Sequence, residues 1–172
     1  MNKDCNKYET LNFYPILKNK KRFSEGGLRV NSQSKKSLPN KPLITIITVV
    51  LNGEKYLQET INSIKNQTYK NYEFLIIDGG SNDKTLEIIK NNSNMIDYWI
   101  SEKDEGLYDA FNKGLSLSRG DYIGIINSDD TYENNALEIL TKYIIKNDSV
   151  DFIFGSVRKH WGILYGYRPE KI

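Results

Sequence analysis

The sequence predicts an α/β domain, an open and mostly parallel sheet with helices on both faces. Three observations carry that prediction. Short β-branched or apolar runs alternate with stretches whose apolar residues recur at helical spacing, the pattern of right-handed βαβ units. Two of the strand-like runs end in acidic polar loops, Asp78 to Asp83 and Asp129-Asp130. The chain has 172 residues, enough for one domain with a core and too short for two comfortable ones.

Residues 1 to 40 show no sustained period and read as a polar, basic leader, flexible or loosely docked, with one short docked element over Leu11, Phe13, Tyr14, Ile16 and Leu17. Pro39 and Pro42 mark the boundary, and the domain is expected over 41 to 172. Leu43 to Leu51 is the first buried strand, turned by Asn52-Gly53. Leu57, Ile61 and Ile64 then line a helix. Tyr72 to Ile77 is the second strand, followed by a helix from Thr85 with Leu86 and Ile89 on one face, capped by Asn82 or Asp83. Ile96 to Ile100 is a shorter strand. Leu107, Phe111, Leu115 and Ser118 line one side of the next helix. Tyr122 to Ile126 reads as a strand covered on both faces. Leu137, Leu140 and Ile144 mark another helix, Phe152 to Phe154 another strand, and Val157 to Tyr167, with Gly162 inside it, a hairpin.

Composition narrows the function classes. Apolar residues make up 38% and charged residues 27%, and 24 basic against 22 acidic side chains leave a formal charge of +2, so no nucleic-acid partner is expected. Ten of the basic residues fall within the first 41 positions. The plain reading is a solvated leader; the sharper one is peripheral contact with an anionic membrane surface or carrier lipid. The single cysteine, Cys5, allows no intrachain disulfide and fits a reducing, cytoplasmic compartment. No apolar run reaches the roughly 18 residues of a membrane span, and no secretory signal is read at the start.

The chemistry is expected at the ends of the strands. In open α/β sheets ligands bind outside the carboxyl ends of the strands, so the polar loops share one rim. Adjacent like charges repel, and Asp129 beside Asp130 is most cheaply tolerated if a divalent cation bridges the pair. The loop Asp78-Gly79-Gly80-Ser81-Asn82-Asp83 offers a bare backbone and carboxylates to a flat ligand such as a nucleoside, although an ordinary turn and helix cap would look the same. Asn52-Gly53-Glu54 lies on the same rim, with a tight turn as its plain reading. Lys113 could meet a phosphate, although a helical lysine is usually solvated. His160-Trp161 reads as packing.

Five ordered blocks together resemble the glycosyltransferase family 2 enzymes: Ile44 to Leu57 (ITIITVVLNGEKYL), Ser63 to Tyr69 (SIKNQTY), Tyr72 to Thr85 (YEFLIIDGGSNDKT), Ile100 to Gly114 (ISEKDEGLYDAFNKG) and Arg119 to Tyr132 (RGDYIGIINSDDTY). The resemblance covers residues 40 to 155 and implies a GT-A, Rossmann-like fold. It also implies inverting transfer of a sugar from a nucleotide diphosphate donor, a UDP-sugar first among them, to a hydroxyl of a glycan or lipid-linked acceptor in polysaccharide or surface glycan synthesis. It places Mg²⁺ or Mn²⁺ on Asp130, the expected direct ligand, with Asp129 beside the donor. It assigns Asn52, Glu54, Asp78 and Ser81 to the nucleoside pocket, and Asn112 and Lys113 to the segment beside the donor.

The chain departs from the family pattern at three places. Val49-Val50-Leu51 replaces a common Pro-Thr-Tyr, Gly79 stands where many members have a second acid, and Asn127 opens the acidic motif in place of Asp. The family's general base comes from a later segment, and neither Asp151 nor Glu170 lies in a block that matches. No base is therefore named, and a truncated donor-binding half that binds without turnover is the alternative reading. A receiver-type phosphotransfer site would want its paired acids after the first strand, and a dinucleotide dehydrogenase would want GxGxxG there.

Overall fold

A computed structural model describes residues 24–147, 150–159 and 162–164. Its centre is a five-stranded sheet of β1 (Ser24–Gly26), β2 (Ile44–Val50), β3 (Tyr72–Asp78), β4 (Tyr98–Ser101) and β5 (Tyr122–Ile125), in the spatial order β1-β4-β3-β2-β5. The pairs β2 with β3, β2 with β5 and β3 with β4 are parallel, whereas β1 is antiparallel to β4. Between the strands run α1 (Leu57–Lys65), α2 (Thr85–Asn91) and α3 (Leu107–Leu117), and α4 (Ala136–Lys146) follows β5.

Helices cover both faces, as the alternation predicts. Every residue of β2 is buried, so its two sides feed two cores. Ile44 and Ile46 join Phe74, Ile76, Leu57, Ile61, Ile64, Ile89, Leu137 and Ile144 under α1, α2 and α4. Ile47 and Val49 join Leu75, Ile77, Ile100 and Ala110 under α3.

The face that α3 buries is not the expected one. Leu107 and Leu115 are exposed, whereas Asp109, Ala110, Lys113 and Gly114 are buried. Small residues bring this helix onto the sheet: a Cβ on Gly114 would lie 2.6 Å from Ile47 Cγ2. An apolar stripe predicts the buried side only where large side chains make the contact.

Two further expectations are corrected. The run at β5 reads in the sequence as covered on both faces, but among the described residues β5 is an edge strand with Ile123 and Ile125 about half exposed. Among those residues it pairs with β2 alone, and α3 covers β2 and β3. Phe152 to Phe154 is not a strand; Phe152 and Phe154 are exposed in an irregular segment, since three apolar residues without a pairing partner gain no ladder. The expected hairpin appears as β6 (Val157–Lys159) paired antiparallel with β7 (Gly162–Leu164).

The expected leader includes a stretch that takes part in the fold. From Ser24 the chain adds β1 to the sheet edge, then lays Leu28–Asn31 as a 3-10 turn against the residues before β4. The Arg29 guanidinium pairs with the Glu73 carboxylate, both almost wholly buried, and also donates to Leu117 O at 2.7 Å. Glu73 in turn accepts from Thr45 Oγ1 and from Arg119 N. Lys35 reaches Asp97 at 2.9 Å and Tyr72 O at 2.7 Å. The earlier basic residues, the Leu11 to Leu17 element and His160-Trp161 lie outside the described residues. No helix among the described residues is long and apolar enough to cross a membrane.

Candidate functional site at the carboxyl ends of the strands

Because β2, β3, β4 and β5 are mutually parallel, their carboxyl ends share one rim. The strand order runs outward from β2 through β3 to β4, then reverses to β5 on the other side of β2. That reversal opens a crevice between β2 and β5, the place where doubly wound sheets bind ligands.

Asp129 and Asp130 stand there, both exposed, in a turn that follows β5. The turn closes through a hydrogen bond from Asp130 N to Asn127 O at 3.2 Å. Thr60, on the buried face of α1, donates its hydroxyl to Ser128 O at 3.0 Å and to Asp130 O at 2.8 Å. Asn127 Nδ2 donates to Asp130 Oδ2 at 3.1 Å, so the residue that departs from the family pattern steadies the neighbouring carboxylate. Burial raises the Tyr132 phenol above its ordinary value, and the charge of Asp130 adds to the rise. Sequence reasoning missed Thr60; its signal is a polar residue beside Ile61 within an apolar helical face.

The loops after β2 and β3 are stitched together. Asn52, held at φ 54°, donates its backbone N–H to Ser81 Oγ at 2.8 Å and accepts from Asn82 N at 3.0 Å through its side chain. Gly53 N donates to Thr85 Oγ1 at 2.8 Å and Glu54 N to Asp83 Oδ2 at 3.1 Å, while Glu54 Oε2 accepts from Lys84 N at 3.0 Å. The cap expected of Asn82 or Asp83 falls one residue later: Lys84 is the N-cap of α2 and makes no side-chain cap bond, while Asp83 Oδ1, just before it, accepts from Thr85 N at 2.9 Å. Burial alone would raise the Asp83 carboxyl, but the hydrogen bonds from Thr85 and Glu54 outweigh it and hold the group below its ordinary value.

Asp78 is fully buried. Its carboxylate accepts from the Ser81 hydroxyl and amide and from Ser101 Oγ at 2.6 Å, so it joins the ends of β3 and β4. Asn52, Glu54, Asp78 and Ser81 are thus brought together, while Asp129 and Asp130 lie on the same rim beyond β2. Asn112 is exposed on α3. Lys113 is not at the rim surface: its side chain is wholly buried, 2.9 Å from Glu102 Oε1 and 3.1 Å from Asp109 Oδ2. Burial alone would lower its pKa; the two carboxylates prevail and raise it, so the ammonium stays charged. Asp109 Oδ2 also accepts from Glu105 N at 3.0 Å, which ties the cluster to the loop between β4 and α3.

No group of three or more His, Cys, Asp or Glu able to hold a metal occurs among the described residues. Two exposed carboxylates are nevertheless a fitting protein share for Mg²⁺ or Mn²⁺, which take substrate phosphates and waters for the remaining positions. Asp151 is exposed in the irregular segment after α4, and Glu170 lies outside the described residues.

Comparison with known proteins agrees with this architecture. An uncharacterized glycosyltransferase of Haemophilus influenzae is 40% identical over 114 residues, covering 64% of this chain and 46% of the relative. The chain thus spans about half the length of that curated relative. Staphylococcus aureus TarS, solved over residues 1–349, superposes with a TM-score of 0.55 at 25% identity, covering 60% of this chain and 32% of that one. The mannosyltransferase PcManGT of Pyrobaculum calidifontis, solved with GDP-Man and Mn²⁺, gives a TM-score of 0.57 at 19% identity, over 77% of this chain and 41% of that one. The fold is therefore of the GT-A type expected. The profile of glycosyl transferase family 2 matches residues 45–171, nearly three quarters of the sequence, and the chain belongs to that family.

Proposed function

We propose that the chain binds a nucleotide-sugar at the rim and serves its inverting transfer to a hydroxyl of a glycan or lipid-linked acceptor, with Mg²⁺ or Mn²⁺ held by Asp130 and Asp129. One observation carries the reading. The acidic turn after β5 flanks the crevice where strand order reverses, and the loops after β2, β3 and β4 continue the same rim. Relatives support it: TarS has been solved with UDP-GlcNAc, and the Pyrobaculum enzyme with GDP-Man and Mn²⁺.

A divalent cation bound with the donor supplies neutralisation of the charge that grows on the departing diphosphate. The chain's own contribution is placement. Thr60 and Asn127 fix the acidic turn before the donor arrives, and the bonded loops after β2 and β3 hold the nucleoside side of the rim without further ordering. The acceptor's proton needs a base within hydrogen-bond reach, and none is assigned to this chain. The proposed location is cytoplasmic, with the basic leader solvated in the plain reading and in peripheral contact with the inner face of a membrane in the sharper one.

Calorimetric titration with UDP, GDP and dTDP, each with and without Mn²⁺, tests the reading. Metal-dependent binding is expected in the wild type, weakened about tenfold or more in Asp130→Ala. Equal binding by the variant would remove the metal assignment, and absence of any binding would remove the donor site.

A further inference from the structure

The end of β3 holds an exchange of acids between neighbouring loops. Where many family members carry a second acid after β3, this chain has Gly79, and the volume that a side chain there would fill is taken by Asp104. A Cβ on Gly79 would lie 2.9 Å from Asp104 Cγ. The displaced carboxylate arrives from the loop after β4, the strand next to β3.

The other carboxylates at this part of the rim are committed. Asp78 is fully buried and accepts from Ser81 and Ser101. Asp83 holds the amides of Thr85 and Glu54, and Glu54 holds the amide of Lys84. Asp104 is half-buried, and among the described residues only its Oδ1 is engaged in a hydrogen bond, from Gly106 N at 3.0 Å; its Oδ2 lies over Gly79. The loop that carries it is braced on both sides, by Glu102 paired to buried Lys113 and by Asp109, which pairs with Lys113 and accepts from Glu105 N.

Strand order says which part of a donor would meet it. Asp129 and Asp130 follow β5, whereas Asp104 lies between the ends of β3 and β4, two to three strands away. At strand spacing that is roughly 10–14 Å. A nucleoside diphosphate with its phosphates at the acidic turn would carry its ribose over β2 and β3 and its base to Asp104.

Resting on the donor reading above, we propose that Asp104, seated over Gly79, is the specificity-determining carboxylate that accepts the ring imino N–H of the donor's nucleobase. Uracil, thymine and guanine carry that N–H; cytosine and adenine do not. Asp78 then only positions the loop.

The test is calorimetric titration of the 172-residue chain with UDP, GDP, dTDP, CDP and ADP in Mn²⁺. The tightest ligand is then compared with its N-methylated form, N3-methyl for a pyrimidine or N1-methyl for guanine. Wild type, Asp104→Ala and Asp104→Ser are compared, the serine retaining an acceptor for Gly106 N, with thermal melts to confirm folding. UDP, GDP or dTDP is expected to bind tightest, and methylation to weaken it about tenfold or more in the wild type. That penalty should vanish in whichever variants fold. A penalty that persists in a folded variant, or a preference for CDP or ADP, overturns the assignment of Asp104 and leaves the donor site standing. Failure of every nucleotide to bind the wild type removes both readings.

Discussion

At the scale of single residues, the rim is shaped by charges that are spent on the protein itself. Lys113 belongs to a motif that invites a phosphate contact, yet its ammonium is wholly enclosed with Glu102 and Asp109. Lys113→Met should therefore act on stability before binding, costing roughly 3–5 kcal/mol because it strands two buried carboxylates. Urea unfolding measures this, and a cost under about 1 kcal/mol would mean that the cluster relaxes into water. Asp83 behaves differently because it is near the surface and holds amides. Its carboxyl is depressed in the fold, so its contribution is fully present above the ordinary carboxylate value and is lost as pH falls through the lower folded value. The difference in urea midpoint between wild type and Asp83→Ala should be largest near neutrality and shrink in acid. A difference that grows in acid would contradict a stabilising role for the bonds from Thr85 N and Glu54 N.

At the scale of elements, two helices do unlike work. In α1 the apolar face of Leu57, Ile61 and Ile64 packs on the sheet, and Thr60 within that face clamps the acidic turn. A helix used in this way transmits order from the core to the acidic turn. In α3 the contact is made by Ala110 and Gly114, with an ion cluster beside them. Close approach of this helix seats the loop that bears Asp104. Expected carboxylate function at the rim thus depends on one helix that packs by size and another that packs by smallness.

At the scale of the molecule, the segment before the family match is part of the architecture. Matching begins at residue 45, yet Ser24–Gly26 completes the sheet edge and Arg29 enters it to meet Glu73. Arg29→Met should destabilise the domain by about 3–5 kcal/mol, the usual consequence of leaving one partner of a buried pair alone. Adding Glu73→Gln should recover part of that loss, and a double-mutant cycle by urea unfolding reads the coupling. No recovery would mean that Arg29 acts through its bond to Leu117 O instead.

The sequence by itself determined the sheet and its rim. Leu43 to Leu51 is β-branched or apolar without break and Tyr72 to Ile77 is interrupted only by Glu73, α1 and α4 announce their buried sides, and Asp129-Asp130 closes a strand, so local pattern suffices to place the acids. Only the tertiary structure decided which charges remain for a ligand. Lys113 turned inward because α3 packs through Ala110 and Gly114, a choice that an apolar stripe at Leu107, Phe111 and Leu115 conceals. Asp78 was buried and Asp104 brought over Gly79 because β3 and β4 are neighbours, and pairing between strands more than twenty residues apart has no local trace. Ile123 and Ile125 look like core in the sequence and lie half exposed because β5 fell at the sheet edge. Hydrophobic pattern fixes which residues can be buried; the order of the strands fixes which of them are.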